Sequence, residues 1–220
     1  MGKIMEKGVS IIGIDGRDDQ NRVDSLLRAI LYSQKQTRFD ATILSVIKPS
    51  IPSPNVDWVS ISPINNKKEY SHFVLMELHK YQKSSHTLMV QRDGFVVNGE
   101  SWKDSFLEYD YIGSPWPSDW PVSTFSNRVG NGGFSLRSSK LISVCPFLNY
   151  KYIDTSAEDV VISVFFRSCL ETLGLKFAPL DVASLFSLEW LEEPNEYKNV
   201  TFGFHDKHNK ITKRYYNLIE

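Results

Sequence analysis

Several side chains in this sequence are of types, and at spacings, that could do chemistry. Asp93 lies just beyond the apolar run Thr87 to Val90, in TLMVQRDGF. A carboxylate there can hold a divalent cation with open positions, and such a cation can neutralise a diphosphate leaving group. Gln91 and Arg92 extend the polar cluster. Asp93–Gly94 is equally a turn dipeptide. In DTSAEDVV, Glu158 and Asp159 form a carboxylate pair at an expected helix start. One of them could take a proton from a hydroxyl. Thr155-x-x-Glu158 is also a capping box, which accounts for Glu158 better than for Asp159. The run Gly130–Asn131–Gly132–Gly133 lets backbone N–H groups or the Asn131 amide approach a ligand closely. It can also be a flexible turn. No Lys–Ser/Thr follows it, so it is not a Walker loop. His205, in FGFHDKH, is a candidate metal ligand through neutral imidazole, with His208 three residues on. A solvated tail explains the pair as well. Trp116 and Trp120 sit in the Pro-rich stretch IGSPWPSDWPVST. They could stack on a sugar or a base, or plug the edge of the core.

These groups need a scaffold. Val9 to Ile14 reads as a buried strand. Val23, Leu26, Leu27, Ile30 and Leu31 share one helical face, capped by Asp18, Asp19 or Asn21. Ala41 to Ile47, Val56 to Ile61 and Thr87 to Val90 read as further strands. Lys48 to Pro54 must be loop, and Tyr70 to Tyr81 carries a second helical face. This alternation predicts an α/β fold with a parallel sheet. Ligands of such sheets bind beyond the carboxyl ends of the strands, which is where Asp15 to Asp19 and Gln91 to Asp93 fall. In the second half, Phe134 to Arg137 reads as a strand. A helix opening at Thr155 to Asp159 presents Ile162, Phe165, Phe166, Cys169, Leu170 and Leu173. Lys176 to Ala178 and Thr201 to Phe204 read as short strands. Trp58, Trp102 and Trp190 are expected in the core with Phe165 and Phe166.

The whole chain, 1–220, is expected to be one domain, with halves at 1–95 and 96–220. The balance of 25 basic and 26 acidic residues, a net charge of −1, argues against a broadly basic nucleic-acid binder. Lys207, Lys210, Lys213 and Arg214 form the one concentrated basic cluster of the sequence. No apolar run is long enough to span a membrane and the first residues do not read as a signal peptide, so a soluble cytoplasmic protein is expected. Two cysteines, Cys145 and Cys169, match no zinc or redox spacing. There is no G-x-S-x-G elbow and no H-E-x-x-H pair.

The ordered set TLMVQRDGF, YDYIGSPW, VGNGGFSLRS, AEDVVIS, KFAPLDVASLFSLE and FGFH resembles a family of glycosyltransferase-like domains of the GT-A type. The match runs from about Leu88 to His205. It implies a single Rossmann-like domain whose mostly parallel sheet is flanked by helices. It implies a nucleotide-sugar-dependent transferase, a hexosyl- or pentosyltransferase, with a UDP-sugar first among donors. Asp93 then takes the place of the family's metal-binding carboxylate for Mn2+ or Mg2+, and His205 that of the C-terminal metal or diphosphate ligand. Asp159, with Glu158, matches the carboxylate pair that includes the base of inverting members. Asn131, Gly132 and Gly133 line the sugar pocket; Arg17 and Asp18 sit near the nucleotide base. Gln91–Arg92–Asp93 departs from the family's pattern, with one carboxylate instead of two, so Arg92 could itself supply charge to the diphosphate. Trp116 and Trp120 fall on the acceptor side. The acceptor is a glycan or, as the lesser alternative, a hydroxylated base in phage DNA. A nucleotidyltransferase of similar fold and a non-catalytic sugar-binding module are the rival readings.

Overall fold

The computed structural model describes residues 8–37, 39–118, 128–153, 157–189 and 201–205. Six strands build the main sheet: β1 (Val9–Asp15), β2 (Asp40–Ser45), β3 (Val56–Ser60), β4 (His86–Val90), β5 (Tyr111–Ile112) and β6 (Ser135–Ser138). Their order across the sheet is β3-β2-β1-β4-β6-β5. The first four run parallel, and β6 pairs antiparallel with both β4 and β5. The expected α/β fold with a mostly parallel sheet is therefore the observed one.

β1 is buried along its whole length, as an apolar run at the centre of a parallel sheet must be. Its alternate residues feed two cores. Ile11, Ile43 and Leu88 pack with Val23, Leu26, Leu27 and Ile30 of α1 (Gln20–Thr37). Ile12, Ile14, Leu44 and Met89 pack with Val74 of α2 (Lys67–Met76) on the other face. Gly13 lets α1 press against the sheet, since a Cβ there would lie 2.8 Å from Ile30 Cδ1. Asp19 caps α1 by accepting from Arg22 N, and Asn66 caps α2 by accepting from Glu69 N. α2 ends at Met76, earlier than the apolar spacing suggested, and a 3₁₀ turn over Leu78–Lys80 continues the buried face with Leu78.

The second half adds α3 (Ser139–Val144), α4 (Glu158–Val160), α5 (Arg167–Thr172), α6 (Leu180–Phe186) and the parallel pair β7 (Ser187–Leu188) and β8 (Gly203–Phe204). Across the two halves, two expectations about the core fail. Trp58 is 37% exposed because β3 is an edge strand, and its indole N–H donates to Ser45 Oγ. Phe165 is 54% exposed and Leu173 is 57% exposed, and Cys169 is exposed too. The cause is a π-helical turn over Val161–Phe165, closed by Phe166 N donating to Val161 O. One extra residue per turn breaks the 3.6-residue phase, so Ile162 and Leu170 point inward while Phe165 does not. Trp102 does join the core, and Trp190 lies outside the described residues. Lys176 to Ala178 forms only a bridge, Phe177 against Tyr111.

The core beneath this half is aromatic. Phe134, Phe186, Phe202, Phe106 and Trp102 meet at centroid distances of 5.1–6.0 Å. Phe134 follows Gly133 and Phe204 precedes His205, so this cluster fixes two backbone segments that carry candidate site residues. Phe134→Ala is expected to cost about 3–5 kcal/mol in denaturant unfolding. Phe165→Ser should cost less than about 1 kcal/mol, since its ring is already in water. Among the described residues no helix is long and apolar enough to cross a membrane.

Candidate functional site

β1 and β4 are neighbours in register, Gly13 beside Val90, and the chain leaves them in different directions. That crevice is where a doubly wound sheet binds ligands. A cavity of about 260 Å³ opens there, lined by Asp15, Arg17, Arg22, Asn66, Lys67, Tyr70, Gln91, Arg92 and Asp93. Asp15 is buried; it pairs with Arg22 at 3.0 Å and accepts from Arg17 N at 3.0 Å. Among the described residues Arg17, Lys67 and Arg92 have no ion-pair partner, so the cavity is net basic. Gln91 donates to the Tyr70 hydroxyl at 3.1 Å. Gln91 and Gly94 bond each other's backbone in a tight turn, with Asp93 at its tip. The turn dipeptide thus also lines the cavity. Asp18 is exposed.

Lys67, Tyr70 and Gln91 also line a second cavity of about 330 Å³, together with Trp116, Asn131, Gly132, Gly133, Glu158, Asp159, Glu189 and His205. Its floor is the Gly-rich run. Asn131 takes a left-handed conformation, φ 60°, and its side-chain oxygen accepts from Gly133 N at 2.8 Å. Gly132 N donates to Asp159 Oδ2 at 3.1 Å. Trp116 is 4% exposed and packs on Gly130, where a Cβ would meet its ring at 1.8 Å. It forms cavity wall rather than an open platform. Trp120 lies outside the described residues, as do Thr155, His208 and the basic cluster.

Glu158 and Asp159 part ways. α4 begins at Glu158 with Ala157 as its N-cap, so Glu158 is not at the third helical position that a capping box needs. Its carboxylate instead forms a buried ion pair with Arg137 at 3.0 Å and receives Ser71 Oγ at 3.5 Å. Asp159 faces the cavity half-buried. Loss of water around it, and the charge of Glu158, push its pKa up to about 6. The Gly132 N–H, Lys67 and the Val160 N–H pull the other way.

His205 closes the gap between the cavities. Its Nδ1 lies 3.1 Å from Asn131 Nδ2 and 3.3 Å from Glu189 Oε1. Among the described residues its Nε2 is buried without a hydrogen-bond partner, and it looks toward Asp93 Oδ1 at 3.8 Å. Burial opposes the imidazolium, but the bond to Glu189 and the charges of Asp93 and Glu189 outweigh it and raise the pKa above the ordinary imidazole value. Asp93 and His205 are of donor types that hold divalent cations, but at 3.8 Å they stand wider than the roughly 3 Å that two donors at about 2.1 Å span at an octahedral corner, so a cation held by both would have to draw them together. Glycines leave the room: a Cβ on Gly133 would sit 2.3 Å from His205 Nε2. Among the described residues no group of three or more His, Cys, Asp or Glu side chains gathers as a ready-made metal site.

The sequence reading names Asp15, Arg17, Gln91 to Asp93, Asn131 to Gly133, Glu158, Asp159 and His205 but misses Arg22, Asn66, Lys67, Tyr70 and Glu189. Tyr70 counts there only as part of an amphipathic helix face. Glu189 stood in the Phe-Ser-x-Glu stretch with no role attached.

Across the molecule the fold is that of GT-A glycosyltransferases. The galactosyltransferase LgtC, solved with donor and acceptor sugar analogs, superposes with a TM-score of 0.61 at 14% identity over 96% of this chain and 95% of that one. An active-site mutant of LgtC gives 0.53 at 13% identity over 90% and 87%. The mannosyltransferase PcManGT from Pyrobaculum calidifontis, solved with GDP-Man and Mn2+, gives 0.49 at 9% over 78% and 54%. No curated protein matches the sequence. Residues 55–205 match the model of a family described as proteins of unknown function, DUF5672. With most of its length inside that match, the chain belongs to the DUF5672 family.

Proposed function

We propose that the chain is a glycosyltransferase that moves a sugar from a nucleoside diphosphate to an acceptor hydroxyl, with inversion. The observation that carries this reading is the common wall of the two cavities. A basic crevice suited to a diphosphate meets, across Lys67, Tyr70 and Gln91, a pocket holding a carboxylate with a raised pKa. A non-catalytic sugar-binding module needs no such junction.

In this mechanism the nucleoside diphosphate lies along Arg17, Lys67 and Arg92, whose charges favour the leaving group. Asp159 accepts the proton of the acceptor hydroxyl as its oxygen bonds to the anomeric carbon. The bond from that carbon to the diphosphate oxygen breaks on the opposite face. Asn131 and the Gly132–Gly133 backbone bound the space where the sugar sits. A divalent cation, when bound, would be held by Asp93 and His205 and would stabilise the departing diphosphate. Trp116 forms wall on the acceptor side. A glycan is the acceptor in this reading; the basic cluster on which a DNA acceptor would depend lies outside the described residues.

The test is a thermal-shift screen of nucleotide sugars with and without Mn2+, followed by product analysis. A true donor at 100 times its Kd stabilises the fold by about 2.7 kcal/mol, roughly 5–10 °C for a chain of this size. Transfer must release nucleoside diphosphate. Release of pyrophosphate would mean nucleotidyl transfer, and absence of any shift with all common donors would overturn the proposal.

A further inference from the structure

We infer that the buried Arg137–Glu158 pair is the device that holds Asp159 and the Gly132 amide in place, so that both members of the pair are positioning residues. This rests on the reading of Asp159 as the base. Arg137 and Glu158 are only 1% and 5% exposed. Arg137 Nη2 donates to Glu158 Oε1 at 3.0 Å, and Arg137 Nε donates to Ser135 Oγ at 3.0 Å. Ser135 Oγ in turn donates to Gly132 O at 3.3 Å. Gly132 N then donates to Asp159 Oδ2, and Asp159 is the residue after Glu158. The circuit is closed: Asp159, Gly132, Ser135, Arg137, Glu158.

Neighbouring elements lock it. Ser71 of α2 accepts from Glu158 N at 3.1 Å. The Arg137 guanidinium lies 5.4 Å from the Tyr111 ring centroid, and the Tyr111 hydroxyl donates to Asn131 O at 3.2 Å. Gly132 must be glycine for this closure, since a Cβ would stand 1.9 Å from Glu158 Oε1. Buried ion pairs often add no net stability over an apolar replacement. A fold could fill this volume without charge. What the pair supplies is a fixed direction for the peptide before Asp159 and for the amide that meets it.

Arg137→Met alone strands a buried carboxylate and can fail to fold, so the decisive variant is Arg137→Met/Glu158→Leu in the full chain. Its fold is checked by melting temperature. The first readout, independent of turnover, is hydrogen exchange at the Gly132 amide: protection should fall about tenfold or more in the folded double variant. The second is kinetic. With a verified donor, kcat should drop about 10–100-fold while donor KM stays within about twofold, since misplacing the base spares binding. A folded double variant with Gly132 protection and kcat like the parent overturns the inference. If no donor is ever turned over, the glycosyltransferase reading falls, and the amide protection still decides this one.

Discussion

Asp159→Asn is expected to lower transfer by about 10²–10⁴-fold, the usual contribution of a general base, and at the same time to raise the melting temperature at neutral pH. The two effects have one cause. Burial and the Glu158 charge lift the Asp159 pKa from 3.8 to about 6. The folded protein therefore holds that proton more tightly than the unfolded chain does. The group favours folding fully below pH 4, and this contribution is lost as pH rises through about 6. At pH 7 and above the ionised carboxylate costs the fold on the order of 3 kcal/mol, an upper bound for a half-buried group. An uncharged amide of the same shape removes that cost and also removes the base. In the parent protein, kcat/KM should fall tenfold per pH unit below about 6 and level off above it, and the variant should lack this limb. Anomeric NMR of the product should show inversion. Full turnover in Asp159→Asn with a verified donor would refute the assignment, as would a parent profile flat down to pH 4.

How far the sequence reveals this site depends on how local each cause is. β1, β4 and α1 are legible because burial writes itself into adjacent residues: Val9 to Ile14 as one apolar run, Val23 to Leu31 at helical spacing. Asp15 and Asp93 are legible because position at a strand end is a local property. The π-helical turn is not. Nothing in Val161–Phe165 announces an extra residue in the turn, so Phe165 counts as core until its neighbours are placed. Glu158 is misread for a similar reason. Thr155-x-x-Glu158 is a local pattern, while the partner that engages the carboxylate, Arg137, sits 21 residues away on β6. His205 looks like the start of a polar tail because only the packing of Phe204 and Phe202 reveals that it is turned inward. Lys67 and Tyr70 face the cavities through the orientation of α2, which is set by Val74 against Ile12 and Met89. Tertiary packing chooses among readings that local patterns leave equal.

That same packing yields the second large effect. Asp93→Ala is expected to reduce kcat/KM for the donor by about 10³-fold, on the scale of several kcal/mol of charge stabilisation at a leaving diphosphate. Gly133→Ala should do nearly as much damage without altering any charge. Its new Cβ would fall 2.3 Å from His205 Nε2 and 2.4 Å from His205 Cδ2, atoms of a ring boxed in by Asn131 and Glu189. The imidazole must shift, and the 3.8 Å approach of Nε2 to Asp93 is lost. Titration calorimetry separates the causes without relying on turnover. Both variants should lose the gain in nucleoside diphosphate affinity that Mn2+ brings to the parent, while binding of the nucleoside alone, which reaches neither residue's charge, stays as it was. If Gly133→Ala binds Mn2+ and nucleoside diphosphate like the parent, His205 is not a ligand. If Mn2+ brings the parent no gain at all but Asp93→Ala still abolishes transfer, Asp93 acts through the donor itself, and Arg92 and Lys67 carry the diphosphate charge. In the proposed reading a cation would sit between the Asp93 carboxylate and the buried His205 Nε2, which has no hydrogen-bond partner among the described residues and faces Asp93 across a gap that Gly133 keeps open.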